Sequence, residues 1–264
     1  MSYDSVYTPV QSKWSFNQEQ SKLMTRSFTY TGMSFVAIFI FSFALYYILR
    51  QSNSGTSTAN VFLYISPILI LVSSLMGMFL RAKTHGSMGF AIFVYALYIF
   101  AQSIGIGGLL YAINYSQIIG LQSGVSLIDI ASIFGVAGVM FIAMALIGIN
   151  MSKRATAKFS KFIIAATIGW LLSSLVFSIT MIFTGGGWGA NSWLIIVSTL
   201  IGGLLNLGYI IFIVSQIKQT SEFVDCVGNR TLTNSLAASF GFWMLVNLMG
   251  IVWTLIRFFF IIRR

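Results

Sequence analysis

The sequence predicts an all-α integral membrane protein, a bundle of seven transmembrane helices. Of its 264 residues, 57% are hydrophobic and 8% are charged, whereas about 25% of the residues in an ordinary soluble domain are charged. The mean hydropathy is +0.89. Long stretches of the chain contain no Asp, Glu, Lys or Arg, and each is long enough for the roughly 20 apolar residues of a membrane-spanning helix. A soluble fold is excluded because so few charges cannot cover its surface.

The charge-free stretches locate the individual spans. They cover residues 27–49, 51–80, 84–128, 130–152, 162–217 and 231–256. The fifth stretch is long enough for two spans, which the glycine-rich residues 185–189 separate, and a polar break near 114–122 divides the third. The sequence therefore predicts spans at about 28–49, 61–80, 89–112, 125–149, 162–183, 193–214 and 238–260.

Helices are favoured over barrel strands for these spans. The apolar stretches lack strict apolar–polar alternation and are about twice as long as a tilted strand requires. An uninterrupted helix also satisfies its own backbone hydrogen bonds in hydrocarbon. We expect one transmembrane domain over 28–264, preceded by a polar tail over 1–27 that has no apolar core typical of a signal peptide.

The basic residues predict the orientation. The N-terminal tail and the even-numbered loops carry eleven Lys or Arg residues, and the odd-numbered loops carry one. By the positive-inside rule the N-terminus is cytoplasmic, which places Arg26, Arg81, Lys153 and Arg154 at the cytoplasmic face. The two C-terminal arginines disagree if the seventh span crosses fully. The alternatives are a segment that dips and returns, or a full crossing in which the early loops decide the topology, which we favour.

Few polar side chains within the spans are candidates for a functional site. Asp129 is the only acidic residue in any span, so it is either a residue at the wetted interface or a cation site at the outer mouth of a pore. Asn206, Gln216 and Asn247 are candidates for the lining of an ion path. They, and other neutral polar residues such as Gln102, equally suit interhelical hydrogen bonding.

Small residues in the spans predict places where helices approach closely. The spacing Ala131-xxx-Gly135 and the cluster Gly105, Gly107 and Gly108 are the candidates, because small side chains let two helix backbones come together in a membrane.

Several chemistries are excluded by residue type. The chain has one His and one Cys, so paired histidine ligands, a zinc cluster and a disulfide framework are absent. No second acid accompanies Asp129 for intramembrane aspartyl catalysis. We therefore predict no enzymatic activity, no cofactor and no metal site. The basic residues lie between apolar tracts, which indicates membrane orientation and no nucleic-acid partner.

Three parts of the chain carry a resemblance to a known family. They are the entry to the first span, MTRSFTY (residues 24–30); the tract 125–149 with the SKR (152–154) that follows it; and residues 162–183, 193–216 and the closing LVNL (245–248). Taken together they resemble the Bax inhibitor-1-like family, also called the transmembrane BAX inhibitor motif family. The first part resembles the basic entry to the family's first helix, the second resembles the fourth helix and the turn after it, and the third falls where the family has its last three helices. The resemblance implies a seven-helix fold.

The resemblance also implies a function, with one departure. Family members commonly carry one Asp in the sixth helix and one in the seventh, a pair thought to close a calcium-passing pore in a pH-dependent way. The matching positions here are Val214 and Met244. Two close carboxylates share a proton with a raised apparent pKa, whereas these side chains cannot ionise. We expect the usual pH sensor to be missing.

Three functions remain open at the level of the sequence. The first is a passive, calcium-type cation leak through the bundle. The second is a non-conducting regulator that binds other membrane proteins, such as a membrane protease, and the third is a small-solute transporter. The partners we expect are the lipid bilayer, cations and other membrane proteins. The expected membrane is a bacterial plasma membrane or an internal membrane.

Overall fold

A computed structural model describes residues 18–52, 55–80, 88–115, 127–184, 192–221 and 230–262. Within these residues the chain is helical and contains no strand, which confirms the all-α class. The helices are α1 (Gln18–Gln51), α2 (Gly55–Leu80), α3 (Met88–Tyr115), α4 (Leu127–Ile149), α5 (Lys153–Thr184), α6 (Ser192–Thr220) and α7 (Arg230–Ile262).

Three helices begin well before the predicted spans. Helix α1 begins at Gln18 where we expected 28, α5 at Lys153 where we expected 162, and α7 at Arg230 where we expected 238. A charge-free stretch measures only the part of a helix that lies in hydrocarbon. Lys and Arg are good helix formers, and their long stems carry the charge to the headgroups, so the helices continue beyond it. Residues 18–27 of the expected tail therefore belong to α1, and residues 1–17 lie outside the described residues.

The apolar character of the helices is that of a membrane protein. Among the described residues, six helices are long and apolar enough to cross a membrane, namely α1, α3, α4, α5, α6 and α7. Their length and composition indicate an integral membrane protein. Helix α7 continues over 33 residues without a reversal, so it forms no dip-and-return within Arg230–Ile262.

Successive helices run in opposite directions. Helices α1, α3 and α7 are parallel, α2 is antiparallel to α3, α4 to α1, and α6 to both α5 and α7. Two contacts along each pair of helices establish these directions. They are Tyr30–Tyr95 and Ser42–Gly107 for α1 and α3, Arg26–Asn234 and Thr31–Gly241 for α1 and α7, Phe62–Gly108 and Ser73–Gln102 for α2 and α3, Phe28–Phe141 and Phe35–Phe134 for α1 and α4, Ile163–Gly208 and Trp170–Gly202 for α5 and α6, and Thr254–Gly203 and Gly250–Asn206 for α7 and α6. One end of the bundle therefore holds the N-termini of the odd-numbered helices and the C-termini of the even-numbered ones.

Helix α7 lies at the centre of the bundle. It packs against α1, α2, α3, α4 and α6. In its most apolar stretch 61% of the residues are buried, whereas in that of α5 only 11% are. Helix α5 is peripheral, and its extensive packing in the described part of the chain is against α6 alone. Helix α7 is covered on several sides because five helices surround it.

Close helix approach occurs at some of the expected glycines. A Cβ atom built on Gly107 would lie 2.6 Å from the Ser42 carbonyl oxygen, and one on Gly108 would lie 2.3 Å from Phe62. These contacts confirm the expectation for Gly107 and Gly108 of α3. The expectation for Ala131 and Gly135 is wrong, because both are exposed and nothing lies within 4 Å of a Cβ on Gly135. Spacing alone does not tell a lipid-facing face from a packed one.

Candidate functional site

The four predicted ion-path residues are spread along the height of the bundle. Asp129 is half-buried in the first turn of α4, and Gln216 is half-buried one turn before the C-terminus of α6. The C-termini of α4 and α6 lie together, since Lys218 Nζ donates a hydrogen bond to the Ile149 carbonyl at 3.3 Å. Asp129 and Gln216 are therefore near opposite ends of the bundle.

Asn206 and Asn247 lie at mid-height on neighbouring helices. Asn206 is near the midpoint of α6 and Asn247 near that of α7. Each Nδ2 donates to a carbonyl one turn earlier in its own helix, Asn206 to Gly202 at 2.9 Å and Asn247 to Trp243 at 2.8 Å. Among the described residues the structure records no donor to either Oδ1. Of the four predicted ion-path residues, these two lie inside the bundle at about the same height.

The two positions that match the family's acidic pair lie in the apolar core. Val214 and Met244 are both 0% exposed. The antiparallel register of α6 and α7 brings them to the same level. Val214 packs against α4, where a Cβ built on Gly148 would lie 2.9 Å from the Val214 Cβ. Apolar side chains therefore fill the region in which a carboxylate pair would have to be solvated or share a proton.

The predicted basic face lies at the end of the bundle that holds the N-termini of α1, α5 and α7. Half-buried Arg26 donates to Asn234 Oδ1 and so ties α1 to α7. Lys153 and Arg154 are exposed in the first turn of α5. Arg81 lies outside the described residues. The opposite end of the bundle holds exposed Arg50, exposed Arg257 near the C-terminus of α7, and half-buried Asp129.

A buried polar network joins three helices at mid-height. Gln102, at the midpoint of α3, is 0% exposed. Its Nε2 donates to Ser73 Oγ of α2 at 2.9 Å, and its Oε1 accepts from the Trp253 indole Nε1–H of α7 at 3.1 Å. A buried donor or acceptor left unpaired costs about 1–3 kcal/mol. The network therefore holds α2 and α3 to the central helix.

A small cavity adjoins this network between α2, α3 and α7. Its volume is about 120 Å³. Its walls are mostly apolar, and Ser73 is shared with the network. The lining residues are Leu69, Val72, Ser73, Val94, Leu97, Tyr98, Ala101 and Phe242. The cavity is only partly enclosed and its walls are mostly apolar, so it is a gap in the packing beside the network.

Two further side chains bind backbone carbonyls of α7 from neighbouring helices. Thr31 Oγ1 of α1 donates to the Gly241 carbonyl at 2.9 Å, and the Tyr95 hydroxyl of α3 donates to the Ala238 carbonyl at 2.9 Å. Gly241 permits this approach, since a Cβ there would lie 2.7 Å from the Tyr95 hydroxyl and 2.8 Å from a carbonyl of α1. The first half of α7 is thereby held between α1 and α3.

The sequence did not distinguish Gln102 from the other neutral polar residues. Its role depends on Ser73 and Trp253, and Trp253 is 151 residues away in the chain. The one signal available in the sequence is an amide residue at the midpoint of an apolar span. That signal marks Asn206 and Asn247 equally, although these two bind their own helices.

The described residues contain no group of three His, Cys, Asp or Glu side chains that could hold a metal ion. The polar groups at mid-height are amides, hydroxyls and an indole. They can exchange hydrogen bonds or offer oxygen ligands to a cation, and none of them can act as a strong base. The chain matches no protein-family model, and no curated protein matches it.

Proposed function

We propose that the chain is a seven-span integral membrane protein with a cytoplasmic N-terminus, in a bacterial plasma membrane or an internal membrane. The strict alternation of helix direction supports this topology. Helix α2 has 26 residues and no charged side chain, which is long enough for a crossing. The gathering of basic residues at one end of the bundle supports the orientation.

Cysteine labelling tests the topology. In a Cys226→Ser background, Gln51→Cys and Ser152→Cys place thiols at opposite ends of the bundle, where both native side chains are exposed. In bacterial cells that carry the protein in their plasma membrane, a membrane-impermeant thiol reagent is expected to label the first while the cells are intact and the second only after lysis. The reverse pattern contradicts the orientation, and equal labelling of both in intact cells contradicts the crossing.

We further propose that the protein is a diverged member of the Bax inhibitor-1-like family and acts as a passive, calcium-type cation leak. The observation that carries this proposal is the pair of mid-height amides, Asn247 on the central helix α7 and Asn206 on its neighbour α6. Amide oxygens are ligands that hard cations accept, and intramembrane polar groups mark ion pathways. Asp129 and Gln216 stand nearer the two ends of the same path.

The proposed leak has no catalytic chemistry, cofactor or resident metal, and it acts on no nucleic acid. The buried apolar side chains of Val214 and Met244 support a closed state of the proposed path. The usual acidic pair is missing, so opening does not depend on its titration.

Flux through single variants tests the path. The purified protein is reconstituted in liposomes that contain a calcium dye. Asn247→Ala removes the mid-height amide, and Asn150→Ala makes the same chemical change at the exposed end of α4. For Asn247→Ala we expect about tenfold slower influx, which corresponds to an activation free energy higher by about 1.4 kcal/mol. For Asn150→Ala we expect unchanged influx. Equal influx in both variants contradicts the assigned path.

Asp129→Asn tests the mouth of the path separately. Loss of the only carboxylate in the spans should reduce cation flux, because a negative charge at a pore mouth concentrates cations. Unchanged flux in this variant removes Asp129 from the mechanism.

The second candidate function is a non-conducting regulator that binds other membrane proteins. Complete burial of apolar Val214 and Met244 favours it, since a protein that conducts nothing needs no polar gate. Its docking site would be residues 218–230, the segment that carries Glu222 and Asp225 and lies largely outside the described residues. Replacing that segment with a neutral linker should abolish association with a partner that copurifies with the intact protein. Retained association counts against the site.

A further inference from the structure

Helix α5 presents one face to α6, and within the described residues its opposite face is exposed. Phe159 and Ile163 pack against Gly208 of α6, where a Cβ atom would lie 3.0 Å from the Ile163 side chain. The Thr167 and Tyr209 hydroxyls are 2.9 Å apart. Helix α5 packs extensively against α6 alone. The residues about half a helical turn from Phe159 and Ile163 therefore point away from the bundle.

Those outward residues form a stripe that changes from basic to apolar along the helix. Its members recur at intervals of three or four residues, so they lie on one face, and every one is exposed. The stripe consists of Arg154, Lys158, Lys161, Ala165, Ile168 and Leu172. Its basic part, which we call the basic stripe, is Arg154, Lys158 and Lys161, and it extends over about 10 Å of helix.

The charge of the basic stripe is not balanced within its helix. Helix α5 carries four basic residues at its N-terminal end and no acidic residue. The N-terminus of a helix is the positive end of its dipole, so cations there are disfavoured unless an anion is close. The arrangement therefore calls for a negatively charged group at the outer surface of α5.

We propose that the basic stripe binds the headgroup of an anionic phospholipid, whose acyl chains lie along Ala165, Ile168 and Leu172. The charges match those of phosphate groups. With Lys153 in the first turn, the stripe makes a cluster of four Lys or Arg beside a membrane span, the size at which such clusters attract anionic lipids. The apolar part of the same stripe follows at once, as the hydrocarbon of a lipid follows its headgroup. A soluble acidic protein would match the charges and not the apolar continuation.

The proposal rests on the membrane-spanning arrangement and not on the cation leak. Lipid binding is measured without any ion gradient, so a protein that conducts no cation can still bind the lipid. Failure of the leak and failure of the lipid site are therefore distinguishable.

Native mass spectrometry of the full-length protein tests the site. The purified protein is titrated with phosphatidylglycerol and, in parallel, with phosphatidylcholine, which carries no net charge. The test variant is Lys158→Gln/Lys161→Gln. The matched control is Lys22→Gln/Arg50→Gln, which removes the same charge from exposed positions on α1. Circular dichroism verifies that both variants keep the helical content of the original.

We expect the original protein to prefer phosphatidylglycerol. Each basic residue near the headgroup contributes about fivefold to the affinity, so the test variant should bind this lipid about 10- to 25-fold more weakly and the control less than twofold more weakly. Equal weakening in both variants overturns the site, because net charge alone then explains the binding. Displacement of the lipid by millimolar inorganic phosphate, or no preference for phosphatidylglycerol, also overturns the proposal.

Discussion

Substitution of Gly148 by Ala tests the packing of α4 against α6. A Cβ at this position would lie 2.7 Å from the Ile211 carbonyl oxygen and 2.9 Å from the Val214 Cβ. The first of these atoms belongs to the backbone and cannot rotate away. Ordinary contacts of a Cβ lie at 3.4–4 Å, so α4 has to move away from α6 by several tenths of an ångström or more.

The expected loss of stability follows from a matched control in the same helix. Gly135 is exposed, and a Cβ there meets nothing within 4 Å. Both substitutions gain the same intrinsic helix preference of Ala over Gly, about 0.5–1 kcal/mol. That gain cancels in the comparison and leaves the cost of overpacking, about 1–3 kcal/mol. Gly148→Ala should therefore have a free energy of unfolding lower than that of Gly135→Ala by this amount.

The assay is reversible unfolding in mixed micelles by titration with sodium dodecyl sulfate, followed by far-ultraviolet circular dichroism. The free energies of unfolding of the two variants are compared under one set of conditions. A difference below about 0.5 kcal/mol, within the usual range for surface substitutions, would refute the close approach of α4 and α6 at Gly148.

Two further changes probe the contacts of the central helix by the same assay. Gln102→Leu breaks the hydrogen bond to Ser73 Oγ and takes the acceptor from the Trp253 indole N–H, so it should lower the free energy of unfolding by about 1–3 kcal/mol; an unchanged value would remove the network from the account. Tyr95→Phe keeps the ring and loses the hydroxyl that donates to the Ala238 carbonyl. We expect a loss of about 0.5–1 kcal/mol, and a stabilised variant would contradict the bond.

Much of the architecture could be predicted from the sequence because of a simple rule on composition: a helical segment that lies in hydrocarbon is apolar and nearly free of charged residues. Residues 89–112 and 193–214 were predicted as spans, and the structure has α3 at Met88–Tyr115 and α6 at Ser192–Thr220. The rule is weaker at the helix ends, where water and headgroups accept charge. Lys153 and Arg154 therefore looked like a loop, although they begin α5.

The interior contacts could not be obtained in the same way. A face that packs and a face that meets lipid are both apolar, so Gly148 and Gly135 are equivalent in the sequence, although only Gly148 touches another helix. The centrality of α7 likewise follows from contacts among helices that are distant along the chain. Gln102 pairs with Trp253 because α3 and α7 are parallel neighbours, which no local pattern records.

Calcium influx into liposomes that contain only the purified, folded protein tests the central claim most directly. The account predicts influx above that of protein-free liposomes, with the same rate at pH 6 and pH 8, because Val214 and Met244 cannot titrate. A rate that changes between these pH values would contradict this part of the account, because another titrating group would then control opening. Absence of both calcium and potassium influx from protein shown to be folded would contradict the leak and leave the regulator as the function to test.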